Sequence, residues 1–170
     1  KILAENKEDF ILHERNSKIK RKICTGIWGI SKKTKKMDLP NTLLEKKFKK
    51  VIISTPHQKT EVKLNKYFVA VLNRKKLGEW MLKQARSFGA NIIFDSPVSD
   101  IRKDYVVVNG KKINFKYLVG ADGSFSLVRK NLKKSFHTGM GIQYWTKKKF
   151  KDMEIHFDSD RFGPWYGWIV

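Results

Sequence analysis

Apolar positions along the chain recur at two spacings. Leu77, Trp80, Met81, Ala85 and Phe88 follow the spacing of one helix face, and Gly89 comes next as a stop signal, which predicts a helix ending there. Met153, Ile155 and Phe157 alternate with Glu154, His156 and Asp158, the period of a half-buried strand. Shorter apolar runs predict strands over Asp9 to His13, a buried run ending at Glu14, over Val51 to Thr55 and Thr60 to Leu64 on either side of Pro56-His57, and over Tyr67 to Leu72 and Asn91 to Phe94. Tyr105 to Val108 and Lys112 to Phe115 flank Asn109-Gly110, a hairpin signal because both turn residues must take positive φ. Lys116 to Gly120 reads as a further strand and Ser124 to Leu132 as a helix, while Gly141 to Trp145 and Tyr166 to Val170 read as strands of an antiparallel sheet with Met153 to Phe157. Lys1 to Asn6 reads as the last turns of a helix. Asn41 is placed to cap a helix over Thr42 to Phe48, and Arg15 to Leu39 reads mostly as loop with a short helix, since it has no clear period and contains Gly26 and Gly29.

Composition narrows the class. A chain of 170 residues that is 41% hydrophobic and 12% aromatic can build a folded core, which argues against disorder. No apolar run approaches the ~20 residues that span a bilayer, and the opening Lys1-Ile-Leu-Ala-Glu-Asn is too charged for a secretory leader. The chain opens without Met, which points to a start inside a longer protein. The single cysteine, Cys24, excludes an intrachain disulfide framework and fits a reducing, cytoplasmic compartment. The net charge of +21 raises nucleic acid as a partner. Its basic runs, Lys18 to Lys22, Lys32 to Lys36, Lys46 to Lys50 and Lys147 to Lys151, are spread along the chain, and Lys far outnumbers the Arg that base readers favour. A solvated Lys-rich surface is therefore preferred to a specific nucleic-acid site, with a peripheral contact on an anionic membrane face as a third reading.

Candidate chemistry sits first in Tyr117-Leu-Val-Gly-Ala-Asp-Gly-Ser-Phe-Ser-Leu-Val-Arg129. An apolar strand running into Gly120, Asp122 and Gly123 and then a helix lets backbone approach a ligand, and free helix N–H groups suit a phosphate. Asp122 would accept hydrogen bonds from sugar-like hydroxyls; the alternative is an ordinary strand–turn–helix with Asp122 as cap. Glu14, at the end of its strand, stands where an acidic side chain holds a ribose hydroxyl in dinucleotide folds, about 20 residues after a glycine-rich turn that would precede Lys1. Taken singly, Glu14 also reads as a surface carboxylate.

In their order, these features resemble the flavoprotein group that includes aromatic hydroxylases and geranylgeranyl reductases. The resemblance rests on Glu14 after the second strand, Arg74 opening a long helix, Val98 in Ser96-Pro-Val98, and Gly120-Ala-Asp-Gly123 followed by Ser126 and Arg129. Two segments are similar to the geranylgeranyl reductase branch. Lys22-Ile-Cys24-Thr-Gly26 resembles its Lys-x-Cys-Gly-Gly segment beside the flavin, with Thr25 departing from it. Tyr166-Gly-Trp168-Ile-Val170 resembles its Tyr-x-Trp-x-Phe-Pro motif, with Val170 in place of Phe. From the residues alone, Tyr166 and Trp168 also read as core strand aromatics and Cys24 as a small buried apolar side chain.

The resemblance implies an α/β fold: a Rossmann-like, glutathione-reductase-type FAD-binding domain lacking its first strand, with part of an antiparallel-sheet substrate domain. It implies an FAD-binding part over 1–134, with an excursion into the substrate domain at about 45–72, and the start of the substrate sheet over 135–170. FAD is the implied cofactor, with NADPH or another reductant as electron donor. The implied cofactor residues are Glu14, Arg15, Cys24, Arg74, Val98, Gly120, Asp122, Gly123 and Ser126. Cys24 is also the implied catalytic residue, Tyr166 and Trp168 the residues against a polyprenyl lipid substrate, and no metal is expected. The implied activity is reduction of polyprenyl C=C bonds, the alternatives being an aromatic-ring monooxygenase and, in a different class, a basic nucleic-acid-binding module.

Overall fold

The computed structural model describes residues 2–19, 26–30, 39–135 and 139–170. Cys24 lies outside them, so its expected place beside a flavin has no structural counterpart here. The chain forms two compact units, Lys1–Lys20 with Gly78–Ile142 and Arg21–Leu77 with Gln143–Val170.

In the first unit, helix α1 (Ile2–Glu5) leads to β1 (Ile11–His13), which pairs in parallel with β7 (Asn91–Ile93). The strand expected around Phe10 to Leu12 therefore forms, but it is not buried: Ile11 and Leu12 keep 48% and 44% of their surface exposed. The physical reason is its one-sided pairing, since among the described residues β7 is its only neighbour in a two-stranded sheet. A second sheet, in the order β10-β9-β8, joins β8 (Val98–Ile101), β9 (Tyr105–Val108) and β10 (Lys111–Asn114). Its hairpin turns on Asn109 at φ 48° and Gly110 at φ 75°, as Asn-Gly requires. Ile101, Val106 and Val108 form the core of this sheet, against which Val98, Leu127 and Val128 pack.

Helix α2 (Arg74–Ser87) runs from the second unit into the first. Asn73 caps its start, its Oδ1 accepting from Lys76 N at 2.9 Å, and Leu77 N donates to Asn73 O. Its end is a Schellman closure: Gly89, at φ 85°, donates to Arg86 O, and Ala90 N donates to Ala85 O. The stop signal at Gly89 thus has a conformational cause.

In the second unit, a sheet in the order β2-β6-β3 joins β2 (Gly26–Gly29), β6 (Val69–Leu72) and β3 (Leu44–Phe48). Two expectations are corrected here. Residues 26–29 are a strand rather than loop, because β6 offers them a ladder from Leu72 to Val69. The helix expected over Thr42 to Phe48 is a 3-10 turn, Asn41–Leu43, followed by a strand. The Asn41 side chain makes no capping bond; its Oδ1 accepts from Lys47 Nζ. The lysines on that strand conceal a period of two, with Leu44, Lys46 and Phe48 on the sheltered side and Glu45 and Lys47 exposed.

A four-stranded sheet in the order β12-β11-β4-β5 completes this unit, from β4 (Lys50–Ser54), β5 (Lys59–Lys63), β11 (Met153–His156) and β12 (Gly167–Ile169). It is mixed rather than purely antiparallel, because β11 runs parallel to β4 while β12 runs antiparallel to β11. Phe48, Val51, Val71 and Met153 bring the two sheets of this unit into one core. Helix α3 (Leu127–Asn131) and helix α4 (Ser159–Phe162) are shorter than or absent from the sequence reading. Among the described residues, 116–120 and 141–145 join no strand ladder, and Tyr117 and Val119 remain 81% and 80% exposed.

Phe48 is 2% exposed between the two sheets. Phe48→Ala should cost about 3–5 kcal/mol of stability, from lost burial and a residual cavity, read as a lowered urea midpoint with unchanged slope.

Candidate functional site

The first unit carries two of the expected clusters. Where β1 ends, Glu14 N donates to Ile93 O at 2.9 Å and Ser96 N donates to Glu14 O at 3.0 Å. The backbone after Glu14 therefore runs alongside the segment that leads into Val98, so the residues expected for ribose and adenine are brought together. The half-buried Glu14 carboxylate is held in place: its Oε1 accepts from Asn16 N at 2.8 Å and from Asn16 Nδ2 at 2.6 Å. Beneath it, the Ser96 hydroxyl is 2% exposed and lies 2.7 Å from His13 Nδ1. Asn16, Ser96 and His13 were not singled out from the sequence. An Asn two residues after the acid is the one local signal, since such side chains commonly bond nearby backbone and carboxylates. Arg15 is exposed, and Val98 opens β8 opposite Val108.

The Gly120 to Arg129 segment has a different internal logic from the one expected. A Cβ on Gly120 would lie 2.7 Å from Val128 Cβ, so glycine lets the chain pass under α3. Gly123 sits at φ 82° with open space beside it, a left-handed position that leaves its backbone accessible. The helix N–H groups expected to face a phosphate are taken within the chain. Asp122 Oδ2 accepts from Leu127 N at 2.6 Å and Val128 N at 3.2 Å, and Ser126 Oγ accepts from Arg129 N at 3.0 Å. Ser126 is the N-cap of this five-residue helix, and Asp122 satisfies two further N–H groups of its first turn. The Arg129 guanidinium donates to Ser124 O, closing the loop. Hydrogen bonding by Ser126, and by the backbone N–H groups of Val128, Asp122 and Leu127, holds the Asp122 carboxyl below its ordinary value, against a smaller opposing effect of burial.

In the second unit, Arg74 opens α2, and its side-chain stem covers Gly26, where a Cβ would lie 2.7 Å from Arg74 Cδ. Gly26 belongs to the Lys22 to Gly26 segment, so its glycine is explained by the passage of Arg74. Tyr166 is 51% exposed, with its ring centroid 5.6 Å from that of Phe157, while Trp168 is half-buried on β12 opposite Ile155. Gly167 between them leaves room for the Phe162 ring, 2.7 Å from where a Cβ would sit. Among the described residues no cluster of His, Cys, Asp and Glu is arranged to hold a metal ion.

An accessible left-handed backbone at Gly123, and a carboxylate at Glu14, whose backbone pairs with Ser96 just before β8, are features that fit a nucleotide cofactor. Comparison with known proteins agrees. The family described as FAD binding domain matches residues 26–165, which include Arg74, Val98 and Gly120 to Ser126 but leave out Glu14, Tyr166 and Trp168. No curated protein sequence matches the chain. Among solved structures, PqsL from P. aeruginosa is 12% identical over 93% of this chain and 50% of its own, with a TM-score of 0.67. The 2-methyl-3-hydroxypyridine-5-carboxylic acid oxygenase is 18% identical over 76% of this chain and 37% of its own, with a TM-score of 0.61. A geranylgeranyl bacteriochlorophyll reductase-like protein from Thermoplasma acidophilum is 16% identical over 65% of this chain and 32% of its own, with a TM-score of 0.54. At these identities the likeness is one of fold, and the chain spans half or less of each of these proteins.

Two outcomes are expected. Gly120→Ala should destabilise the chain by about 1–3 kcal/mol through overpacking, and Val128→Ala in the same background should recover most of that loss in a double-mutant cycle. Because the Asp122 carboxyl is lowered in the folded chain, its contribution to stability is present above the ordinary carboxylate value and lost as pH falls through the lower folded one. The acid limb of a stability–pH profile should accordingly flatten in Asp122→Asn.

Proposed function

Because the chain belongs to the FAD-binding domain family, we propose that it works within an FAD-dependent oxidoreductase that reduces C=C bonds of geranylgeranyl or other polyprenyl chains in membrane-lipid biosynthesis. The observation that supports the polyprenyl substrate is Tyr166-Gly-Trp168. Here Tyr166 is half exposed, Trp168 is half-buried and Gly167 makes room for the Phe162 ring, and the motif is similar to that of the geranylgeranyl reductases.

Bound FAD would supply the redox chemistry, and the chain's own part is to hold it and shape the substrate space. Glu14, with one oxygen committed to Asn16, would accept from ribose hydroxyls. The Ser96-Pro-Val98 strand would meet the adenine, Gly123 would allow close backbone approach, and Arg15 and Ser126 would complete the contacts. Asp122 would serve indirectly, by fixing the turn that presents Gly123. Arg74 would offset phosphate or reduced-flavin charge with a guanidinium that stays cationic at any working pH. Cys24 is proposed beside the flavin, and Tyr166 and Trp168 against the apolar substrate, whose burial is worth ~25 cal/mol per Å². The same proposal divides the chain into an FAD-binding part over 1–134, apart from about 45–72, and a substrate sheet from 135 onward. It places the protein in the cytoplasm, with its basic surface against anionic lipid and NADPH or another reductant as electron donor. No helix among the described residues is long and apolar enough to cross a membrane.

An aromatic-ring monooxygenase is the second reading, favoured by the fold it shares with the hydroxypyridine-carboxylic acid oxygenase. The whole enzyme, reduced without oxygen and given a geranylgeranyl lipid, should return to the oxidised flavin spectrum with formation of a saturated product. Oxygen consumption with a hydroxylated aromatic product would replace the first reading by the second. In either case Glu14→Ala should weaken FAD binding by about tenfold or more, as loss of a charged hydrogen-bond acceptor does.

A further inference from the structure

On the second unit, which also holds Arg74, five lysines line one open depression of about 300 Å³. They are Lys47 on β3, Lys49, Lys50 on β4, Lys63 on β5, and Lys151. Asp152 is the one carboxylate in the lining, and it is already engaged by Lys50 at 3.0 Å. Glu61 also pairs with Lys50, at 3.3 Å, and together these two acids raise the Lys50 pKa above its ordinary value. The local negative charge is thereby spent on one ammonium. Lys47 reaches a neutral partner, Asn41 Oδ1, at 3.0 Å, and Lys49 lies 5.0 Å over the ring of Tyr67.

Strand register makes the concentration of charge sharper. Lys50 and Lys63 are direct partners across β4 and β5, an arrangement that like charges make unfavourable. Solvent alone gives no reason to gather cations at one concave place, since lysines on a convex surface repel one another less. A multiply charged anion does give one, because it offsets several ammoniums at once where a singly charged ion offsets one. The cavity is at the small end of ligand-site volumes, and the half-exposed Tyr67 ring forms an aromatic wall. Ammoniums are compact point charges suited to phosphate oxygens rather than to a planar, bidentate carboxylate fork. From this we propose that the Lys47–Lys49–Lys63–Lys151 cavity binds a ligand through a diphosphate group, either free in solution or at the head of a lipid. This site uses none of the residues assigned to FAD, so it stands or falls apart from the flavin reading.

The test titrates the 170-residue chain with inorganic pyrophosphate by calorimetry at physiological ionic strength. Saturable one-to-one binding is expected. Lys63→Gln with Lys151→Gln should weaken it by about tenfold, whereas Lys63→Arg with Lys151→Arg should retain it. Lys111→Gln with Lys130→Gln, which removes the same charge from the other unit, should change it by less than about twofold. Circular dichroism of each variant keeps a folding defect from passing as lost binding. Equal weakening by both Gln pairs, or no saturable binding by the unmodified chain, would overturn the proposal in favour of diffuse charge. Phosphatidylcholine vesicles doped with diacylglycerol pyrophosphate separate the two sources: capture that pyrophosphate competes away assigns the site to a lipid headgroup, and pyrophosphate binding without capture assigns it to a soluble ligand.

Discussion

A backbone amide taken out of water must find a partner, and in this chain several central strands find theirs far away in sequence. Strand β6 shows the consequence. Ala70 is fully buried, Val71 and Leu72 nearly so, and the strand is satisfied only because β2 pairs on one side and β3 on the other. Residues 51–54 likewise depend on residues 153–156, which come from the other end of the chain. The same requirement sets where structure stops. Residues 117–119 are as apolar as many strands, yet among the described residues they join no ladder, and Tyr117 and Val119 remain exposed.

At the candidate cofactor residues this satisfaction of polar groups takes a local form. Asn16 fixes the Glu14 carboxylate, Asp122 and Ser126 close the start of α3, and the stem of Arg74 lies in the space left by Gly26. Each side chain is held by a bond or contact within the chain, so less freedom is lost when a ligand arrives. Glycine acts in two different ways here. Gly120 and Gly26 leave room for a neighbouring side chain, whereas Gly123 is needed for its backbone conformation.

The lysine excess also has more than one structural role. On β5, an edge strand exposed along its whole length, Lys59, Glu61 and Lys63 place charge where a bare ladder would otherwise invite another strand. On β3, lysines disguise a strand as a helix to anyone counting apolar residues. Around Tyr67, five of them line one open depression.

Local sequence determined whatever is decided within a few residues. The Asn109-Gly110 turn needs only two positive φ angles, the α2 face is written in its own periodicity, and Gly89 ends that helix by its conformation. The order of Glu14, Arg74, Val98 and Gly120 to Ser126 was legible for the same reason, since each sits at the end of an element with its own signal. Tertiary structure decided the rest. It made 26–29 and 44–48 strands because β6 supplied hydrogen bonds that local propensity cannot see, and among the described residues it left 116–120 outside any ladder. It brought Ser96 to Glu14, whose carboxylate Asn16 already holds from two residues away. These outcomes depend on which groups meet in space, and a hydrogen bond or a close packing contact is set by that meeting rather than by position along the chain.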